Sequence, residues 1–287
     1  MPDKLLDLKN DLVFQELFGN PKNDKITGHL LSLILKREIH NVDLDVNKRM
    51  LGNRPDSKTG RLDIRVKFND GEDCNIELQV LPYKYMAERM LDYWGSMYGN
   101  KIHKGQDYKI LKPSISILIA NYNLEQLNQI EKYHTIWNLR EEEYHNIILT
   151  DNIEMHILEI PKIKDNEILK DELVQWLKFI ENPENKEVQK FMCENKYLKQ
   201  AREELAYLSG DPDFQRLLES RAGFLMDMDM LQDQVREEGL AEGRAKGLAE
   251  GKRKNQIEIA KKLLELNIPI YKISVATGLT EKEIKEL

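Results

Sequence analysis

Hydrophobic and polar residues alternate with different periods along the chain, and each change of period marks a predicted element. The first segment, LLDLKNDLVFQELFG, carries apolar residues mostly at helical spacing and ends at Gly19, so it predicts an amphipathic helix. A second helix is predicted over about residues 25–37. A short strand follows, with apolar residues alternating at Val42, Leu44 and Val46.

The period changes to two from Arg61, where RLDIRVKF and then CNIELQVL alternate apolar with polar residues. Between them, Asp70-Gly71 is typical of a tight turn that joins paired strands, so a β-hairpin is predicted. Leu62, Ile64, Ile76 and Leu78 form its core-facing side. The opposite, polar side of the hairpin carries Asp63, Arg65, Lys67, Glu77 and Gln79.

The rest of the chain predicts one more helix, three more strands and then mostly helices. The helix covers about residues 83–101, and the strands lie in SISILIANY, YHTIWNL and HNIILT…MHILEI. This order predicts an α/β fold, with a central mixed sheet flanked by helices and an α-helical C-terminal region. We expect a core over residues 1–165, a helical extension over 166–230 and a charged tail over 231–287.

Composition narrows the function only slightly. The chain has 287 residues and a formal net charge of −7, which argues against a protein that coats nucleic acid by bulk electrostatics but not against a nuclease. No apolar run approaches the length that crosses a bilayer, and the N-terminus does not resemble an export signal. Two widely separated cysteines, Cys74 and Cys193, suit buried thiols and a cytoplasmic location.

The polar side of the hairpin is the candidate for chemistry. Asp63 and Glu77 flank the turn, so their carboxylates can lie side by side on adjacent strands. Two carboxylates together with a substrate phosphate suffice for a hard cation such as Mg²⁺, which can lower the pKa of a bound water. The alternative is that both carboxylates are simply solvated on an exposed face.

Other kinds of catalytic site find no support in the sequence. None of the six histidines pairs at a metal-ligand spacing, so each is expected to be an ordinary surface or core residue. A nucleophile with a neighbouring base is not recognisable. The glycines of the tail lie in a charged helical pattern and lack the strand–loop–helix setting of a phosphate loop.

Several segments resemble the PD-(D/E)XK nuclease superfamily, in particular its recombination-promoting nuclease/transposase family. They are NDLVFQELFG, GRLDIRVKFNDGEDCNIELQ, the helix with Arg89 and Tyr93, GQDYKILKPSISI and the E-G-x-x-x-G tail. The resemblance implies a restriction-endonuclease-like core in residues 1–165 and a metal-dependent DNA endonuclease. Asp63 and Glu77 would then hold Mg²⁺ or Mn²⁺, Gln79 would position the attacking water, and Asp11 would assist as an auxiliary ligand.

Two positions depart from the general PD-(D/E)XK pattern, although the family that this chain resembles shares its D…E-x-Q form. Leu62 replaces the motif proline, which affects only the entry to the strand, whereas Gln79 replaces a lysine that would supply positive charge to the transition state. Arg89 could supply that charge, or it could be a surface residue of its helix. Tyr93 shares that helix face and fits packing beside the site. Asp11 could equally stabilise the N-terminal turn of its helix.

The C-terminal region carries two further hypotheses. Glycines at positions 239, 243, 247 and 251 leave a smooth helical stripe that suits a homo-oligomer contact, or else a flexible helical linker. The last segment resembles a small helix-turn-helix that could contact DNA or another protein. Two rival functions therefore stand beside the nuclease: a DNA-binding module that has lost catalysis, and an interaction protein assembled through these helices.

Overall fold

The computed structural model describes residues 4–39, 42–44, 64–164, 171–192 and 194–287. Asp63, Leu62, Val46 and Cys193 lie outside these ranges. The chain divides into two compact units, residues 1–215 and 216–287. The three ranges expected from the sequence stay a prediction.

The first unit is built on a mixed six-stranded sheet with flanking helices, as predicted. Along the described chain its elements are α1 (Asp11–Phe18), α2 (Asp24–Leu35), β1 (Val42–Leu44), β2 (Ile64–Phe68), β3 (Asp73–Gln79), α3 (Met86–Gly99), β4 (Ser114–Ala120), β5 (His134–Arg140), β6 (Ile148–Glu159), α4 (Glu172–Glu181), α5 (Lys186–Phe191) and α6 (Lys196–Gly210). The order of strands across the sheet is β1-β2-β3-β4-β6-β5.

Both types of strand pairing occur in this sheet. The β2–β3 pair is the predicted antiparallel hairpin, in which Ile64 lies opposite Ile76. Strands β3, β4 and β6 are mutually parallel, and the two edge pairs, β1–β2 and β5–β6, are antiparallel. The central strands β3 and β4 are buried on nearly every residue because helices cover both faces of the sheet.

Helices α1 and α2 lie on the face that carries the apolar side chains of β2. A Cβ added at Gly19 would lie 3.4 Å from Cγ1 of Ile64, and the Arg37 guanidinium lies 5.3 Å from the Phe68 ring. Helix α3 covers the opposite face, where Met86 packs with apolar residues of β4 and β6. The polar residues of β3 therefore lie beneath α3.

The second unit is helical. Its main element, α7, runs from Pro212 to Glu265 and carries the four-residue glycine repeat inside a continuous helix. Helices α8 (Ile270–Thr277) and α9 (Glu281–Lys285) follow, separated by Gly278 in a left-handed conformation. A small apolar cluster joins these helices to the end of α7 and includes Ala260, Ile273, Leu279 and Ile284.

Two smaller expectations can be compared with the described residues. Cys74 is fully buried and burial raises the pKa of its thiol, which confirms the buried-thiol interpretation at this position. In the described ranges, none of the helices has both the length and the hydropathy of a membrane span.

Candidate functional site

A row of buried polar residues lies beneath α3 on the two central strands, and it defines the candidate site. Each residue of this row on β3 lies opposite a β4 residue whose side chain is on the same face of the sheet. Each of these residues is less than 10 % exposed. The row consists of Asp73, Asn75, Glu77 and Gln79 on β3, with Ser114 and Ser116 on β4.

Glu77 lies at the middle of this row and is held by α3. The residue is only 4 % exposed, so it is not the solvated surface carboxylate that the alternative interpretation describes. Arg89, from the first half of α3, places Nη2 2.8 Å from Oε1 of Glu77. A buried carboxylate needs such a partner because desolvation penalises its charged form.

Arg89 is itself held by aromatic side chains. Its Nε donates a hydrogen bond to the hydroxyl of Tyr93 at 2.9 Å. The guanidinium carbon lies 5.0 Å from the Tyr93 ring and 5.9 Å from the Tyr83 ring, both within cation–π range. The surface interpretation of Arg89 is therefore wrong: this residue is part of the site, and Tyr93 orients it.

Gln79 lies two residues beyond Glu77 on the same face. It is 5 % exposed, and its amide nitrogen donates to the backbone oxygen of Leu81 at 2.7 Å. This hydrogen bond fixes the amide plane and leaves Oε1 as the end that can accept a hydrogen bond or contact a cation.

Asp63 and Asp11 complete the set of residues expected from the sequence. Asp63 lies outside the described residues and directly precedes Ile64 in the sequence. Asp11 is the first residue of α1, where its carboxylate accepts from the backbone nitrogen of Leu12 at 2.8 Å. This contact suits the helix-terminus interpretation of Asp11, and its role as an auxiliary ligand stays a prediction.

Sequence reasoning missed the far end of the row. Asp73 reads as a turn residue in NDGEDC, but it is 7 % exposed and lies between two cations. Lys101, just after α3, places Nζ 3.3 Å from Oδ2 of Asp73, and Arg65 Nη2 lies 3.8 Å from the same oxygen. Helix α3 is thus joined to β3 by two ion pairs, at Glu77 and at Asp73.

Trp94, which lies between Arg89 and Lys101 along the chain, fixes α3 to β4 at the Asp73 end of the row. Its indole Nε1 donates to the backbone oxygen of Ser114 at 2.9 Å, and its ring stacks on Tyr98 at 5.0 Å.

One pair of histidines also escaped the sequence analysis. His134 Nε2 lies 2.9 Å from His156 Nδ1, and His156 Nε2 lies 2.6 Å from Oε1 of Glu154. His156 pairs with Ile117, which pairs with Ile76, so this cluster lies on the face opposite Glu77. Within the described ranges, no group of three His, Cys, Asp or Glu side chains is arranged to hold a metal ion.

Comparison with known proteins identifies the family of this chain. The family described as PD-(D/E)XK nuclease family transposase matches residues 8–234, which include the whole sheet and the candidate site. No curated protein and no solved structure matches the chain. Because the match covers well over half of the sequence, the chain belongs to the PD-(D/E)XK nuclease family transposases.

Proposed function

We propose that this protein hydrolyses phosphodiester bonds of DNA, with a divalent cation held by Asp63 and Glu77. The observation that carries the proposal is the burial of Glu77 against Arg89 on the polar face of a PD-(D/E)XK hairpin. A buried ion pair is costly to form and adds little net stability compared with apolar packing, so a buried, paired carboxylate at this position is a candidate for function.

The residues present fit a hard divalent cation. Glu77 supplies a carboxylate oxygen, and Gln79 supplies an amide oxygen two residues further along the same face. In the hairpin, Ile64 lies opposite Ile76. Asp63 precedes Ile64 and Glu77 follows Ile76 in the sequence, so an antiparallel pairing continued by one residue would place positions 63 and 77 opposite each other. Oxygen ligands of this kind suit Mg²⁺ or Mn²⁺.

The chain's own side chains would then divide the work. Gln79 accepts a hydrogen bond from the attacking water through Oε1 and so orients it toward phosphorus. Arg89 supplies positive charge near the phosphate, the contribution that a motif lysine would make. The water oxygen bonds to phosphorus, the ester oxygen departs, and a proton passes to that leaving oxygen. A bound cation would lower the pKa of the water and neutralise phosphate charge.

The test is a cleavage assay on supercoiled and linear DNA with Mg²⁺, Mn²⁺ or chelator. Asp63→Ala and Glu77→Gln should each lower the rate by at least about a hundredfold, as expected for loss of a transition-state contact. Glu88→Gln is the matched control, because Glu88 is an exposed carboxylate on the same helix as Arg89. Unchanged cleavage by Glu77→Gln, with thermal stability preserved, would refute the assignment.

A catalytically inactive DNA-binding module is the second candidate, and one observation favours it. Gln79 carries no charge, and one of the two N–H donors of its amide is engaged with the Leu81 carbonyl, so position 79 offers the phosphate less than a lysine would. Metal-independent binding without cleavage in any condition would establish this alternative. Cleavage by the wild type would exclude it, and DNA breakage would then account for a role in transposition or recombination.

A further inference from the structure

A polar cavity lies at the turn end of the hairpin, beyond Glu77. Its volume is about 570 Å³, and we call it the hairpin pocket. Its charged lining consists of Arg65, Lys67, Lys101, Lys112, Asp70 and Asp73. Four cations against two carboxylates leave a local excess of positive charge in a chain whose net charge is −7.

Two of the four cations, Lys101 and Arg65, contact Asp73 in the wall of the pocket. Lys101 Nζ contacts Asp73 and also donates to the backbone oxygens of Lys112 and Pro113, at 3.0 and 2.8 Å. Arg65 lies on the other side of Asp73. Lys67 and Lys112 are exposed at the rim, and neither forms an ion pair with a carboxylate in the part of the chain that the structure describes.

Three buried donors on or next to this wall have no hydrogen-bond partner among the described residues, and of the three residues that carry them Arg65 lines the pocket. They are Nε of Arg65, Nδ2 of Asn75 and Oγ of Ser114. Register brings them together, since Arg65 lies opposite Asn75 and Asp73 lies opposite Ser114. A buried donor without a partner costs about 1–3 kcal/mol. An anionic acceptor in the pocket would meet the guanidinium of Arg65 and the ammonium groups of Lys67 and Lys112.

The position of the pocket relative to Glu77 indicates what that acceptor is. Asp73 precedes Glu77 by four residues on the same face of β3, a separation of about 13 Å at ~3.3 Å per residue. Phosphates of one DNA strand follow one another at about 3.4 Å along the helix axis. A strand whose phosphate lies at Glu77 therefore carries another over the hairpin pocket a few nucleotides away.

We propose that the hairpin pocket binds a backbone phosphate of the DNA, a few nucleotides from the bond at Glu77, and so sets the direction of the strand across the site. This inference rests on DNA being the substrate. Lys67 and Lys112 supply the outer contacts, and Arg65 supplies the inner one.

The test measures DNA binding in chelator, where no cleavage is needed, over a series of salt concentrations. The double variant Lys67→Gln/Lys112→Gln should bind a short duplex several-fold more weakly. Its slope of log affinity against log salt should fall by about 1, the value for one lost phosphate contact. The matched control is Lys190→Gln/Lys199→Gln, because both lysines are well exposed on α5 and α6, away from the pocket.

Each outcome separates this inference from the proposed function. A slope that falls in the pocket variant alone supports the pocket, even if the wild type cleaves nothing. An unchanged slope in the pocket variant, or an equal fall in the control, overturns the pocket whatever the cleavage assay shows. Absence of DNA binding by the wild type overturns both the pocket and the choice of substrate.

Discussion

At the scale of single residues, Glu77 and Arg89 form a unit in which neither member is easily removed alone. Their side chains are 5 % and 14 % exposed, so both charges have lost most of their hydration. The attraction between two such charges offsets that loss only while both are present. Arg89 thus combines a stabilising role for the fold with the catalytic role proposed above.

Arg89→Met should destabilise the protein by about 3 kcal/mol, because it leaves the Glu77 charge buried without its partner. The double variant Glu77→Gln/Arg89→Met should recover most of that loss, since it removes both charges and keeps their volumes. Urea unfolding of the two single variants and the double variant measures the coupling. Additive effects of the two substitutions would contradict the pairing.

At the scale of elements, the hairpin turn positions the site because it fixes the register of β2 against β3. Gly71 adopts a φ of +88°, a region that side chains with a Cβ strongly disfavour. A Cβ there would also lie 3.4 Å from Cγ of Lys112, which belongs to the rim of the hairpin pocket. A Cβ at that distance makes an ordinary van der Waals contact, so the turn requires glycine for its backbone conformation.

Gly71→Ala should lower the free energy of unfolding by about 1 kcal/mol or more through backbone strain. Gly95→Ala is the contrasting variant: Gly95 is exposed within α3, and a Cβ there meets no atom within 4 Å. Helix propensity predicts a gain of up to about 1 kcal/mol at that position. Thermal unfolding of both variants measures these two changes in stability. A stabilised Gly71→Ala protein would show that the turn tolerates a side chain.

The elements also show which parts of the site can be predicted from sequence. The hairpin was predicted because its evidence is local: period-two alternation on either side of Asp70-Gly71. Burial of Glu77 could not be predicted, because it depends on α3, whose position over the sheet is a tertiary property. The same holds for Asp73, which resembles a turn residue until Lys101 is brought against it.

The histidine pair on the opposite face of the sheet could not be predicted from the sequence either. His134 and His156 meet diagonally across β5 and β6, and their sequence spacing resembles no ligand motif. Only the register of the two strands brings their rings together.

At the scale of the whole molecule, the candidate site belongs to the first unit, whereas the family match extends beyond residue 215 into α7. The glycine repeat lies in an exposed part of that helix. Self-association through the C-terminal helices, and DNA contact by the last three helices, remain predictions from the sequence.

Stability of the molecule should decrease on acidification because of His134. Burial, and then the charge of His156 and of the lysines at positions 36 and 132, lower the pKa of His134 from 6.5 to about 4, while Asp171 opposes them. Between those pH values the unfolded chain takes up a proton that the folded protein does not. The contribution of neutral His134 to the free energy of unfolding is therefore fully present above pH 6.5 and is lost progressively as the pH falls toward 4.

The variant His134→Asn should show a shallower loss of unfolding free energy between pH 6.5 and 4. One proton contributes at most about 1.4 kcal/mol per pH unit, and the partial exposure of His134 reduces that figure. His103→Asn is the control, because His103 is exposed. Urea unfolding at several pH values measures the slopes. A slope in His134→Asn equal to that of the wild type would contradict the assignment.

Trp94 gives helix α3 an optical reporter of its own. The chain has three tryptophans, of which Trp176 is fully buried and Trp137 is 43 % exposed. Replacing those two with phenylalanine isolates emission from Trp94, whose indole is hydrogen-bonded to the carbonyl of Ser114, the residue opposite Asp73. Any ligand that shifts α3 on the sheet alters that bond, so occupancy of the site can be followed by fluorescence without a label.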